Sequence, residues 1–136
     1  YGLHESLVML EEEGLENAWQ RHNFHHQALR AGVEAMGLSF IVPEGDRLPQ
    51  LNAVTIPAGV VDADVRKQLL EDYDLEIGAG LGDLAGKVWR IGLMGYACNK
   101  KNVLFCLGAL DAVLGGMTDN INKGVAVAAA LAFYQQ

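Results

Sequence analysis

Residues 76–95 read EIGAGLGDLAGKVWRIGLMG, a pattern that predicts a glycine-rich loop between two short extended segments. In the second segment side chains alternate between the two faces of a strand, so Trp89 and Ile91 face one way and Arg90 the other. Arg90 is then half-buried in an apolar setting, with no acidic residue on its own strand. A guanidinium keeps its charge there, and its planar fork matches a carboxylate in a two-point contact. The partner of Arg90 is therefore an acidic side chain of the protein or the carboxylate of a ligand.

The size and charge of the chain limit the classes of function. With 136 residues we expect one domain with a core of its own, and a net charge of −7 argues against a nucleic-acid surface. The ten Lys and Arg residues are scattered and form no basic stripe. The apolar stretch at 125–134 is too short to span a bilayer, so we also expect no membrane partner.

Two cysteines, Cys98 and Cys106, form neither a CxxC motif nor a disulfide framework. Reduced thiols of this kind favour a cytoplasmic location, with the peroxisome and the mitochondrion as open alternatives. The first residue is Tyr1 rather than Met, which leads us to expect that the sequence is part of a longer protein.

Hydrophobic periodicity predicts an α+β domain in which helices back a small sheet that is antiparallel or mixed. The first helix covers residues 1–36, with a break expected near Gly14. The further elements follow in this order: strands at 38–42 and 51–56, a helix capped by Asp62, strands at 75–77 and 88–94, a helix from Asn99 to Gly115-Gly116, and a helix at 123–133. We expect a single domain over 1–136, with a core at 1–114 and a variable helical tail at 115–136.

Three histidines on the first helix invite a metal hypothesis, because residues i and i+4 share a helix face. His22, His25 and His26 have the order HxxHH, which lacks the glutamate of a zinc-protease helix. No carboxylate or cysteine stands at a supporting spacing. We therefore predict no metal site.

The glycines of the central loop do not complete a phosphate-binding motif. Gly78-Ala79-Gly80 opens like a dinucleotide fingerprint, but Asp83 occupies the place of the third glycine, and a strand follows instead of a helix. Gly86-Lys87 resembles the end of a P-loop, but Val88 stands where a hydroxyl residue is needed. Neither motif is therefore present.

The chain also resembles a known family. The segments that carry the resemblance are 77–82, 85–95, 1–7, 12–17 and 47–49. They are similar to the C-terminal domain of the class V pyridoxal-phosphate aminotransferases. Within that family the resemblance is to the alanine–glyoxylate, or serine–pyruvate, aminotransferases, and it covers about residues 1–114.

This resemblance implies the small C-terminal α+β domain of a fold-type I enzyme. Such a domain closes over pyridoxal phosphate, which is bound mainly by a large domain that this chain lacks. In the family the arginine of the Arg-Ile-Gly motif binds the substrate α-carboxylate, and that role falls on Arg90. The catalytic and cofactor-binding residues of the family lie in the large domain, so we expect none in this chain. No lysine here stands in the family's cofactor-lysine motif.

The function implied by the resemblance is transfer of an amino group from alanine or serine to glyoxylate or pyruvate. The partners would be small amino acids and 2-oxo acids, the protein's own large domain and, in the full-length protein, a second subunit of a homodimer. We expect this chain alone to be inactive. Three alternatives stay open: a ureidoglycine–glyoxylate aminotransferase, a non-enzymatic module that binds a carboxylate, and an internal ion pair at Arg90.

Overall fold

Five helices and a three-stranded antiparallel sheet form the fold, in a computed structural model that describes all residues from 1 to 136. The elements are α1 Gly2–Glu13, α2 Leu15–Ala35, β1 Leu51–Thr55, α3 Asp62–Tyr73, β2 Gly78–Ala79, β3 Val88–Gly92, α4 Lys100–Met117 and α5 Ala126–Tyr134, with 3₁₀ turns at Glu44–Asp46, Gly82–Leu84 and Gly95–Ala97. The predicted α+β class is confirmed, and all strand pairs are antiparallel. None of the helices combines the length and the apolar character that crossing a membrane requires.

β3 is the central strand of the sheet, with β1 on one side and β2 on the other. The alternation predicted for β3 is confirmed, because Trp89 and Ile91 belong to the buried core while Arg90 lies on the opposite face. Arg90 pairs with Ala53 of β1 and with Gly78 of β2, so only small residues flank it on that face. The strand predicted at 75–77 is observed slightly later, as the two-residue strand β2. Its residues Gly78 and Ala79 pair with Arg90 and Trp89 of β3.

The strand predicted at 38–42 is wrong in its extent. This segment makes a single bridge, between Phe40 and Val54, on the side of β1 that β3 does not occupy. Pro43 lacks an N–H group, and a 3₁₀ turn follows it directly, so the pairing ends there.

The predicted break in the first helix is confirmed at Gly14. This residue has a φ of 84°, a left-handed value that glycine adopts without strain, and it separates α1 from α2. α2 contributes Ala28, Leu29 and Val33 to the core, all of them fully buried. α1 has no buried residue. Three of its apolar side chains, Leu3, Leu7 and Met9, are exposed in this chain.

Two predicted helix boundaries need correction. Asp62 is the first residue of α3 and not its cap, because its carboxylate binds the guanidinium of Arg66, at 2.9 Å, one turn later. α4 begins as predicted, with the side chain of Asn99 accepting a backbone hydrogen bond at 3.0 Å. However, α4 continues through Gly115-Gly116 to Met117, since the backbone first becomes extended at the next residue.

The last helix begins at Ala126, later than the predicted start at 123. Asp111 on α4 sets this start, because its carboxylate accepts hydrogen bonds from Gly124 N–H at 2.8 Å and from Ala126 N–H at 3.2 Å. Ala126 and Ala130 are fully buried where α5 packs against α2 and α4. The helical tail is thus part of the packed structure.

Candidate carboxylate-binding site

Arg90 lies in the middle of β3, half-buried, on the face of the sheet away from Trp89. Its neighbours across the sheet are Ala53 on β1 and Gly78 on β2. Because both neighbours are small, no large side chain stands directly beside the arginine on the adjacent strands. The guanidinium itself lies on the β2 side of the strand, beside Gly78 and Ala79.

The guanidinium of Arg90 makes one hydrogen bond within this chain, in which Nε–H donates to the backbone carbonyl oxygen of Ala79 at 2.7 Å. No Asp or Glu oxygen of the chain lies within 4.0 Å of it. The other four arginines all have acidic partners within that distance: Arg21 with Glu13, Arg30 with Glu34 and Glu44, Arg47 with Glu34, and Arg66 with Asp62. Arg90 is thus the one arginine without a counterion here, and the internal ion pair has no partner within this chain.

The glycine-rich loop holds β2 beside Arg90. Gly80 N–H donates to Val88 O at 3.0 Å, which continues the pairing beyond β2. A Cβ atom on Gly80 would lie 2.0 Å from Leu84 O, so only glycine lets the following 3₁₀ turn fold back against this strand. The loop therefore determines where the backbone of β2 meets the arginine.

Two adjacent residues of α2 hold the turn that follows β3. The Nε2 atom of His22 accepts a hydrogen bond from Gly95 N–H at 3.1 Å, so its Nδ1 carries the proton and donates to a backbone carbonyl of α2 at 2.6 Å. Arg21 Nη1 donates to Gly95 O at 2.8 Å, while its Nη2 donates to Glu13 at 2.8 Å. Both backbone groups of Gly95 are therefore bound by α2, a few residues after Arg90.

Sequence reasoning did not predict these roles of Arg21 and His22. The one signal was that Arg21 stands on the apolar stripe of the first helix, where a charged residue needs a partner. In the structure that partner is Glu13, and the hydrogen bond from Arg21 holds the pKa of the Glu13 carboxyl below its usual value. This ion pair spans the break at Gly14.

The other two histidines of α2 bind different partners. His25 Nδ1 lies 2.7 Å from the hydroxyl of Tyr134, and His26 Nδ1 lies 2.6 Å from Oδ1 of Asn52. Burial lowers the pKa of both imidazoles, which favours their neutral forms. No group of three or more His, Cys, Asp or Glu side chains is arranged to hold a metal ion.

The lysines do not fit a pyridoxal phosphate site. A lysine that binds this cofactor covalently needs a desolvated setting, whereas every lysine of this chain is exposed. Three of them make surface contacts: Lys67 with Glu71, Lys100 with the ring of Tyr134, and Lys123 with Asp119. No lysine of this chain therefore has the setting that a covalent cofactor lysine needs.

A cleft of about 830 Å³ lies between α1, α2 and the turn that follows β3. Its lining includes Leu10, Arg21 and Tyr96 but not Arg90. The cleft and the candidate site are therefore separate features of this chain.

No model of a known protein family matches the chain. The (S)-ureidoglycine–glyoxylate transaminase of Bacillus subtilis is 44% identical over 135 residues, which are 99% of this chain and 32% of that protein. Alanine–glyoxylate aminotransferase of Mus musculus is 41% identical over 104 residues, which are 76% of this chain and 25% of that protein. The crystal structure of the Bacillus subtilis ureidoglycine–glyoxylate aminotransferase superposes with a TM-score of 0.95 and 44% identity, over 98% of this chain and 35% of that one. This chain thus spans about a third or less of the length of these relatives.

Proposed function

Because this chain belongs to the class V aminotransferases, of which it forms the C-terminal region, we propose that the full-length protein transfers an amino group from a small amino acid to glyoxylate. In this proposal Arg90 binds the carboxylate of the substrate. The observation that carries the proposal is the unpaired charge of Arg90, whose Nη1 and Nη2 atoms have no hydrogen-bond partner in this chain. A bound carboxylate would supply the missing counterion.

One arginine suffices for both halves of such a reaction. The amino acid and the 2-oxo acid occupy the site in turn, and each carries a carboxylate next to its reacting carbon. A two-point contact with a guanidinium fixes both the position and the orientation of that carbon. The same charge on Arg90 therefore serves the donor and the acceptor.

Alanine or serine is the amino donor in this proposal, and glyoxylate or pyruvate is the acceptor. Ureidoglycine is the second candidate donor, favoured by the Bacillus subtilis relative that aligns with 99% of this chain. All of these donors present the same carboxylate, so Arg90 does not distinguish them. The residues that do would lie mainly outside this chain.

We propose that the protein's own large domain covers the exposed apolar side chains of α1 and of the start of α2. Leu3 and Leu7 on α1 are 76% and 56% exposed, and Trp19 on α2 is 60% exposed. Leu3 and Leu7 lie one turn apart on the same face of α1, and an exposed apolar surface is typical of an interface. The residues that hold pyridoxal phosphate would belong to that domain. We therefore propose that this chain is inactive alone. We also propose, from the resemblance to the class V aminotransferases, that the full-length protein acts as a homodimer.

The proposal is tested by assaying the full-length protein beside this chain. We expect the full-length protein to form glycine from glyoxylate with at least one of alanine, serine and ureidoglycine. We expect this chain alone to show no turnover and no pyridoxal phosphate adduct after borohydride reduction and peptide mapping. A stoichiometric adduct at one of its lysines would contradict the proposal. If the full-length protein binds glyoxylate but turns over no donor, it is a carboxylate-binding module instead.

A further inference from the structure

We infer that Gly78 and Ala79 are positioning residues, which hold the guanidinium of Arg90 so that a carboxylate meets it end-on, at Nη1 and Nη2. This inference rests on the proposed function of Arg90 and specifies the geometry of its contact. Neither residue needs to touch the substrate, because both act through the arginine.

The first support is the hydrogen bond between Arg90 and β2. A guanidinium can pair with a carboxylate side-on, through Nε and one Nη atom, or end-on, through its two Nη atoms. Arg66 of this chain pairs side-on with Asp62, with Nε at 2.9 Å and Nη2 at 3.1 Å from the carboxylate oxygens. In Arg90 the Nε–H group already donates to Ala79 O at 2.7 Å. The side-on edge is therefore occupied, and the end-on edge is the one left for a ligand.

The second support is the space beside Gly78, which pairs directly with Arg90. A Cβ atom on Gly78 would lie 3.3 Å from Nη2 of Arg90 and 3.4 Å from its Cβ. Contacts this short force one of the groups to move by a few tenths of an ångström. A side chain at this position would therefore push the guanidinium away from its present position.

The backbone of Gly78 does not itself require glycine, because its φ is outside the left-handed region. Alanine or valine at this position can therefore keep the strand conformation, and valine favours strands. A substitution here thus tests mainly the space beside the Arg90 side chain, since the tightest contact of the new Cβ is with Nη2 and its distance to the backbone oxygen of Arg90 is 3.4 Å. On the other side of the arginine, Ala53 already occupies the equivalent place with one methyl group.

The test uses two aldehydes that differ only in the group that Arg90 would bind. Glyoxylate and acetaldehyde offer the same reacting carbonyl, but acetaldehyde has a methyl group in place of the carboxylate. The measurement is the preference for glyoxylate over acetaldehyde, as a ratio of second-order rate constants for amino transfer in the full-length enzyme. We expect Gly78→Ala to reduce this preference about 3- to 10-fold and Gly78→Val to reduce it more, because small displacements of a positioning group are costly in rate.

Gly116→Ala is the matched control, since a Cβ at that helical glycine meets nothing within 4 Å. It should keep the wild-type preference and a melting temperature at or above that of the wild type, because alanine favours a helix more than glycine does. Arg90→Lys, measured in parallel, separates this inference from the proposed function. If Arg90→Lys keeps the preference for glyoxylate, the proposed function of Arg90 fails.

If Arg90→Lys loses the preference while both Gly78 variants keep it, only the positioning inference is overturned. Equal losses with glyoxylate and acetaldehyde in the Gly78 variants overturn it as well, because a carboxylate contact cannot influence acetaldehyde. A selective loss with glyoxylate, at an unchanged melting temperature, supports it.

Discussion

The Nδ1 atom of His26 donates a hydrogen bond to Oδ1 of Asn52 across 2.6 Å, and both side chains are buried. The direction of this bond follows from the amide group of Asn52, which donates to Ile91 O at 3.2 Å and so leaves its oxygen as the acceptor. The pair thus ties α2 to β1 and to the residue that follows Arg90.

This pair predicts that stability falls in mild acid. Burial lowers the pKa of His26 in the folded chain, whereas an unfolded histidine titrates near 6.5. The unfolded chain then binds more protons, so the stabilisation is complete above about pH 6.5 and is lost as the pH falls toward the folded pKa. Urea unfolding between pH 7.5 and 5.5 should show a loss of at most about 1.4 kcal/mol per pH unit for each such histidine.

Two variants test whether His26 causes this pH dependence of stability. His26→Gln should reduce the pH dependence, since it removes one of the titrating groups. His4→Gln, on the exposed helix α1, should retain it. A His26→Gln protein with the full pH dependence of the wild type would show that another group is responsible.

Asp111 predicts a second effect on stability. Its carboxylate accepts the N–H groups of Gly124 and Ala126, which begin α5. Asp111→Ala leaves these donors without their acceptor, and we expect a loss of about 1–3 kcal/mol in the free energy of unfolding. Asp119→Ala, which removes an exposed partner of Lys123, is the control and should change little. Similar losses in both variants would show that the contact with α5 is unimportant.

The cysteines predict a third result, on chemical reactivity. Burial raises the pKa of the Cys106 thiol to about 12 and raises that of Cys98 as well. The reactive thiolate is therefore scarce at pH 8, and neither side chain is accessible. Mass spectrometry should find both cysteines unmodified by iodoacetamide in the folded chain and both alkylated in urea. Rapid labelling of the folded chain would contradict this burial.

Local patterns sufficed to predict much of the fold. The alternation around Arg90, the break at Gly14 and the cap at Asn99 all depend on residues close in sequence, and all three are confirmed. The same kind of pattern predicts a strand at 38–42. In the structure this segment makes a single bridge, because its extent depends on Pro43 and on a partner strand further along the chain.

The candidate site was only partly predictable for the same reason. The sequence places Arg90 on a half-buried face without an acid on its own strand. It does not indicate that Ala79 O takes the Nε–H group, because that contact depends on the register of β2 against β3. The contacts of Arg21 and His22 with Gly95 join residues more than seventy positions apart, which periodicity cannot reveal.

The apolar side chains of α1 predict self-association when this chain is isolated. Leu7 is 56% exposed, so Leu7→Glu should weaken association without lowering the melting temperature. Leu70→Glu is the control, because Leu70 is 51% exposed but lies on α3. Sedimentation at rising concentration makes the comparison. A monomer at high concentration in the wild-type chain would argue against an interface on α1.

The most direct test of the carboxylate-binding role is Arg90→Lys in the full-length enzyme, with Arg66→Lys as a control for loss of a guanidinium elsewhere. Both half-reactions and the melting temperature are measured on one preparation. Lysine keeps the charge but loses the two-point contact. We predict that kcat/KM falls with the amino donor and with glyoxylate alike, by an amount that corresponds to about 2–4 kcal/mol of lost transition-state stabilisation. The melting temperature should stay nearly unchanged. Normal turnover in a protein destabilised by several kcal/mol would contradict this role and make Arg90 part of a structural ion pair, with an acid from another part of the full-length protein.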